Sequence, residues 1–263
     1  MKNIIKALAI ALILSFALVT MASCSAENVV VVGYTIYESM NYKNENGELV
    51  GFDTELAEKI FTNLGYKVSF KEITWEQKYT ELNSGSIDCI WNGFTSNGSD
   101  DGTPRAELVD FSYNYMENKQ VVVVKADSGI TSAEGLKDQI GKVEAASAGE
   151  AYAKTFEGAI VQTVTKQTEA IMEVFMGTAK FAVVDAQLAK SLVGKGDYAN
   201  LQIIETLSSD VEYYGIGFKK GSELTAKVNE QLEALAANGY LKGLAEKYGV
   251  ENATILDYSD QKK

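Results

Sequence analysis

The chain predicts an α/β fold with largely parallel sheets. Short apolar runs rich in β-branched residues alternate with helix-period runs along nearly the whole length. No Pro-rich or low-complexity linker breaks that alternation, and the chain contains a single Pro. Its 263 residues allow one large or two ordinary domains, enough to bury substantial cores.

The elements follow in order. Val29-Val30-Val31-Val32 reads as a buried strand. Asp53 can cap a helix whose apolar residues Leu56, Ile60, Phe61 and Leu64 share one face, and Gly65 stops it. Tyr66, Val68 and Phe70 alternate as a strand, residues 75–82 form a short helix, and residues 87–91 form a strand. Residues 95–104, rich in Gly, Ser, Asn and Asp, read as a surface loop. Residues 121–124 make another buried strand. Further βα units follow: 143–146 with a helix near 149–156, 160–164 with 168–176, and 181–184 leading into a helix through 192. Residues 222–248 are helical, with a break at Asn238-Gly239.

Composition narrows the function classes. The formal charge is −12, a poor match for nucleic acid, whose binding is driven by phosphate neutralisation. The chain has no His, which removes the commonest metal ligand and general base together with any Ser-His or Cys-His pairing. Two Cys exclude a disulfide scaffold and a Cys-rich zinc site. Asp100-Asp101 lacks calcium-loop spacing, and the glycines form no phosphate loop, so no metal or cofactor is expected.

Residues 1–23 read as a signal peptide. Lys2 and Lys6 precede an apolar run over 7–21, and small residues follow at Ala22-Ser23. Met21-Ala22-Ser23-Cys24 resembles a bacterial lipobox, which implies cleavage before Cys24 and a lipid on its thiol. Cys89, inside an apolar run, reads as a small buried strand residue.

Two segments share a design. Residues 85–92 and 177–185 each run from a Gly through a short apolar strand to a polar residue, Asn92 in one and Asp185 in the other. Ligands of open α/β sheets gather beyond the carboxyl ends of the strands, so Asn92 and Asp185 are expected to face one cleft from opposite halves.

Several motifs in sequence order resemble the polar amino-acid-binding proteins of ABC importers, extracellular solute-binding protein family 3. They are the segment 47–57 with its Gly51-Phe52-Asp53 helix start, Gly85-Ser86-Ile87-Asp88, and the Arg-containing segment 105–112 with Phe111 six residues on. Residues 136–150, 181–185 and Tyr214-Gly215-Ile216-Gly217-Phe218 continue the match. The resemblance implies a two-lobe, periplasmic-binding-protein-like (type II) fold with two hinge strands. Lobe 1 would be 27–117 plus 211–263, and lobe 2 would be 118–210. It also implies a monomeric, lipid-anchored, extracytoplasmic receptor that hands a free amino acid to an ABC permease.

A free amino acid is a zwitterion, and burying it requires a partner for each charge. The resemblance assigns the carboxylate to Arg105, the only Arg in the chain, a residue suited to planar bidentate donation. It assigns the ammonium to Asp185, which would equally serve as the N-cap of the next helix. Gly93, Thr95 and Asn92 would line the rim in lobe 1. Ser147 and Ala148 would supply backbone donors and one hydroxyl in lobe 2. Tyr37 and Trp75 would wall the side chain, a role that competes with ordinary core packing. About five extra residues, including 97–102, separate Thr95 from Arg105 by comparison with the family pattern Thr-x-Thr-x-x-Arg. Two rival functions use the same scaffold: a cyclohexadienyl-dehydratase-like enzyme with Glu150 or Glu76 as its acid, and an amino-acid sensor without transport.

Overall fold

A computed structural model describes residues 28–262. The signal peptide and lipidation site expected at residues 1–23 and Cys24 lie outside the described residues. No described helix is long and apolar enough to cross a membrane.

The first half opens with β1 (Val29–Tyr34), the hairpin β2 (Tyr42–Lys43) and β3 (Leu49–Val50), then β4 (Lys67–Glu72) and β5 (Cys89–Ile90). The hairpin β6 (Ser99–Asp100) and β7 (Thr103–Pro104) and the strand β8 (Asp110–Phe111) follow. The chain crosses over on β9 (Met116–Asn118) and builds β10 (Gln120–Lys125), β11 (Ile140–Glu144), β12 (Ile160–Val164), β13 (Phe181–Asp185) and β14 (Leu201–Ser208). It returns on β15 (Glu212–Tyr214) and β16 (Gly217–Phe218).

Two five-stranded sheets result, ordered β4-β1-β5-β16-β8 and β12-β11-β13-β10-β14. The second repeats the plan of the first. In each, the first three strands run parallel. The fourth, β16 or β10, runs against both neighbours. The sheets are therefore largely parallel with one reversed strand apiece, a strand that the chain enters from a crossover. The crossovers β9 and β15 pair antiparallel, Glu212 opposite Asn118 and Tyr214 opposite Met116, and they are the two hinge strands between the lobes.

Apolar periodicity explains the cores. The helix Phe52–Asn63 buries Phe52, Leu56, Ala57, Ile60 and Phe61 against the first sheet. Val122, Val124, Phe181 and Val183 fill one face of the second. Three local readings differ from expectation. Gly51, not Asp53, is the N-cap of that helix, and Asp53 turns inward instead. The helix over 75–82 is a 3₁₀ turn Trp75–Gln77 running into an α-helix Lys78–Ser84. Within the stretch 95–104, residues 99–104 form a tight hairpin, with Asp101 and Gly102 at positive φ, that points Asp100 into the protein. Asp100 finds buried cations there, which a sequence pattern of loop residues does not reveal.

Candidate functional site

β5 and β13 are the middle strands of their sheets, and the chain just beyond each carboxyl end reaches one enclosed cavity. The cavity is lined by Trp75, Asn92, Gly93, Thr95 and Arg105 from the first half, with Ser147, Ala148 and Asp185 from the second. Glu144 and Gln167 complete the lining. Of the nine ligand residues expected from sequence, only Tyr37 is not on the wall. It lies behind Gly93, its hydroxyl 3.0 Å from that of Tyr214. Gly93 itself turns at φ 58°, and a Cβ there would stand 2.9 Å from the Tyr37 ring, so the turn requires glycine.

Arg105 is 1 % exposed. Its Nε donates to Asp100 Oδ1 at 2.9 Å, and Nη1 donates to the Thr95 carbonyl at 3.3 Å. Nη2 is also 2.9 Å from Asp100 Oδ1, an ion-pair contact, but makes no hydrogen bond. The residues that lengthen the segment before Arg105 thus supply a counter-ion. Asp100 also accepts from the Tyr79 hydroxyl at 2.6 Å and lies 3.3 Å from the buried Lys78 ammonium. Burial pushes the Asp100 carboxyl up, but Arg105 and Lys78 outweigh it and hold it below its usual range.

Asp185 sits at the N-cap position of the helix Ala186–Leu192 but makes no cap hydrogen bond. Its Oδ1 accepts from Asn118 Nδ2 (2.7 Å) and Gln120 Nε2 (2.6 Å), and its Oδ2 from Gln167 Nε2 (2.6 Å). The Gln167 amide oxygen takes the Asp185 backbone N–H at 2.8 Å, which clamps the residue. These neutral donors satisfy an anion without discharging it. Burial raises the Asp185 pKa, and the amides pull it back.

The remaining wall is fixed locally. Asn92 lines the cavity, but Thr35 and Asn41 occupy its amide, so it braces the rim. Thr95 Oγ1 donates to Glu212 Oε2 at 3.2 Å, across the hinge. Ser147 Oγ accepts from the Glu150 N–H, and the Glu150 carboxylate accepts from Ala146 N, a reciprocal cap that fixes the start of the helix Ala148–Ala153. Glu150 is thereby engaged in structure. At Gly149 a Cβ would meet the Val183 carbonyl at 2.8 Å, so glycine lets that helix sit directly on β13. Trp75 packs edge-on to Phe94 at 5.3 Å, with Lys78 Nζ 5.2 Å from its ring centre.

Sequence reasoning missed Glu144, Gln167, Lys78 and Asp100. Glu144 ends β11 and was findable by the strand-end rule that located Asn92 and Asp185. Lys78 was not, because a lysine in a helix is ordinarily solvated. Burial lowers its pKa to about 8 against the pull of Asp100.

Buried acids make stability pH-dependent. Burial raises the Asp53 pKa to about 7, with Tyr115, Gly93 and Trp91 opposing it. Burial and then the Asp185 charge raise that of Glu144 to about 8. Unfolded, both return to about 4, so the folded state holds more protons in between. Their stabilisation is complete below about pH 4 and is lost as pH rises through about 7 and 8. The ligand-free protein is expected to be less stable at about pH 8 than at about pH 5, and denaturant titrations at the two values check this.

Comparison with known proteins agrees with this architecture. The chain is 28% identical over 216 residues to the arginine-binding extracellular protein ArtP of Bacillus subtilis (strain 168), covering 81% of this chain and 82% of ArtP. It is 29% identical over 239 residues to the L-cystine-binding protein TcyA of the same organism, covering 89% and 85%. Among solved structures, the arginine-, lysine-, histidine-binding protein ArtJ of Geobacillus stearothermophilus superposes with a TM-score of 0.76 at 30% identity, over 84% of this chain and 95% of ArtJ. These relatives are binding proteins, not enzymes. The sequence profile of the bacterial extracellular solute-binding proteins, family 3, matches residues 29–251, and the chain belongs to that family.

Proposed function

We propose that this protein captures a free amino acid between its lobes and delivers it to an ABC permease. The observation that carries the reading is a single cavity with a buried guanidinium on one side and a buried carboxylate on the other. Arg105 Nη2 makes no hydrogen bond, and Asp185 is held by neutral donors, the amides of Asn118, Gln120 and Gln167 and the Tyr214 hydroxyl. A zwitterion supplies the cation that Asp185 lacks and an acceptor for the Arg105 nitrogen that makes no hydrogen bond.

Arg105 takes the ligand carboxylate, aided by Thr95, Gly93 and the Ser147-Ala148 segment. Asp185 takes the ammonium. Trp75 walls the side chain, Asn92 braces the rim, and Tyr37 supports Gly93 and Tyr214 from behind. Residues 27–117 with 211–263 form lobe 1 and residues 118–210 form lobe 2. They close about β9 and β15, the ligand favouring the closed form through contacts made only there. The protein works as a monomer, tethered outside the cytoplasm by a lipid on Cys24 after removal of residues 1–23.

Thermal-shift measurement across the twenty amino acids plus ornithine and cystine tests this. The ligands named for the relatives, arginine, lysine, histidine and cystine, are first in the panel. A true ligand at a hundredfold excess over Kd adds roughly 2.7 kcal/mol of stability. A flat response to all of them sinks the reading.

A further inference from the structure

Resting on the amino-acid reading above, we propose that the ligand's side chain carries a positive charge and that Glu144 is its acceptor, the residue that sets specificity. Glu144 ends β11 on the cavity wall and is 3 % exposed. Its Oε1 has no hydrogen-bond partner. A buried, unsatisfied carboxylate oxygen facing a ligand cavity calls for a donor from the ligand.

Charge balance says which kind of donor. The groups around the cavity are two cations, Arg105 and Lys78, and four acids, Asp100, Glu144, Asp185 and Glu212. The zwitterionic core of an amino acid adds one charge of each sign, met by Arg105 and Asp185. Lys78 is occupied by Asp100 at 3.3 Å and by the Ala146 carbonyl at 3.2 Å. Glu212 accepts from Gln120 at 2.8 Å and from Thr95 at 3.2 Å. Acids exceed cations by two, Glu144 and Glu212; Glu212 is satisfied by neutral donors, whereas Glu144 keeps an oxygen without a donor, and a cationic side chain supplies it. Asp100 has a matching part. It occupies Lys78 and the Nε edge of Arg105, where a ligand's second carboxylate would otherwise bind, so the site rejects acidic amino acids.

The groups facing Glu144 are Lys78 on the first-lobe helix, Asp185 on β13, and Gln167 with Glu169 at the start of the helix Gln167–Met176. Without ligand, Glu144 satisfies this environment by holding a proton near neutral pH. A ligand cation replaces that proton, so its binding releases one, and its affinity rises with pH up to about 8.

Titration calorimetry with arginine and citrulline, which share a shape but differ in side-chain charge, tests the inference on the purified protein. Arginine or lysine is expected to bind at least about tenfold more tightly than citrulline or glutamine, with proton release that scales with buffer ionisation enthalpy. Glu144→Gln, of the same shape, is expected to erase both the preference and the proton release while still binding citrulline. Asp100→Asn is expected to weaken arginine and to admit glutamate. Equal affinity for arginine and citrulline in the unaltered protein, or an unchanged ratio in Glu144→Gln, overturns the inference and leaves the amino-acid reading standing. Absence of binding by every amino acid overturns both.

Discussion

Arg105→Ala is expected to lower affinity for the amino-acid ligand by about 3–5 kcal/mol, because it strands a buried carboxylate without its cation. The guanidinium is nearly inaccessible and held from behind by Asp100, and its Nη2 makes no hydrogen bond. It is thus preorganised, and little ordering is needed when ligand arrives. Arg105→Lys keeps the charge but loses the planar fork, and is expected to fall between alanine and the unaltered protein. Calorimetry gives the affinities, and a denaturant curve for each variant separates lost binding from lost folding. A folded Arg105→Ala protein with unchanged Kd shows that another group takes the carboxylate.

Asp185→Ala is expected to cost a similar amount, about 3–5 kcal/mol, for the opposite charge. Asn118, Gln120 and Gln167 converge on this carboxylate at 2.6–2.7 Å. Removing it leaves the ligand ammonium facing amide N–H groups, donor against donor. Asp185→Asn keeps the volume and isolates the charge. An Asp185→Asn protein that binds the ligand normally sinks the ammonium assignment.

The two losses are expected not to add simply. Both residues act on one ligand through lobe closure, and contacting sites couple. A double variant whose loss equals the sum of the single losses means that each lobe binds its end of the ligand independently.

The site was unevenly legible. Asn92 and Asp185 were found because the carboxyl ends of central strands are fixed by strand order alone, and the repeated plan of the two sheets brings both to one cavity. Trp75 and Arg105 followed from motif resemblance. Tyr37 was placed in the right neighbourhood but one layer back, because a residue one turn from a rim can face either the ligand or its support. Asp100 read as part of a solvated loop, and instead closes an ion pair with Arg105 and Lys78.

The sequence by itself determined the α/β alternation, the family and the strand ends that meet at the cavity, because these depend on local periodicity and order along the chain. Only the tertiary structure decided how charge is shared. Whether Lys78 is solvated or buried, whether Asp100 binds water or Arg105, and whether Glu144 has a partner depend on contacts between segments far apart in sequence. In a low-dielectric interior such contacts govern the energy of each charge, and a one-dimensional pattern carries no record of them.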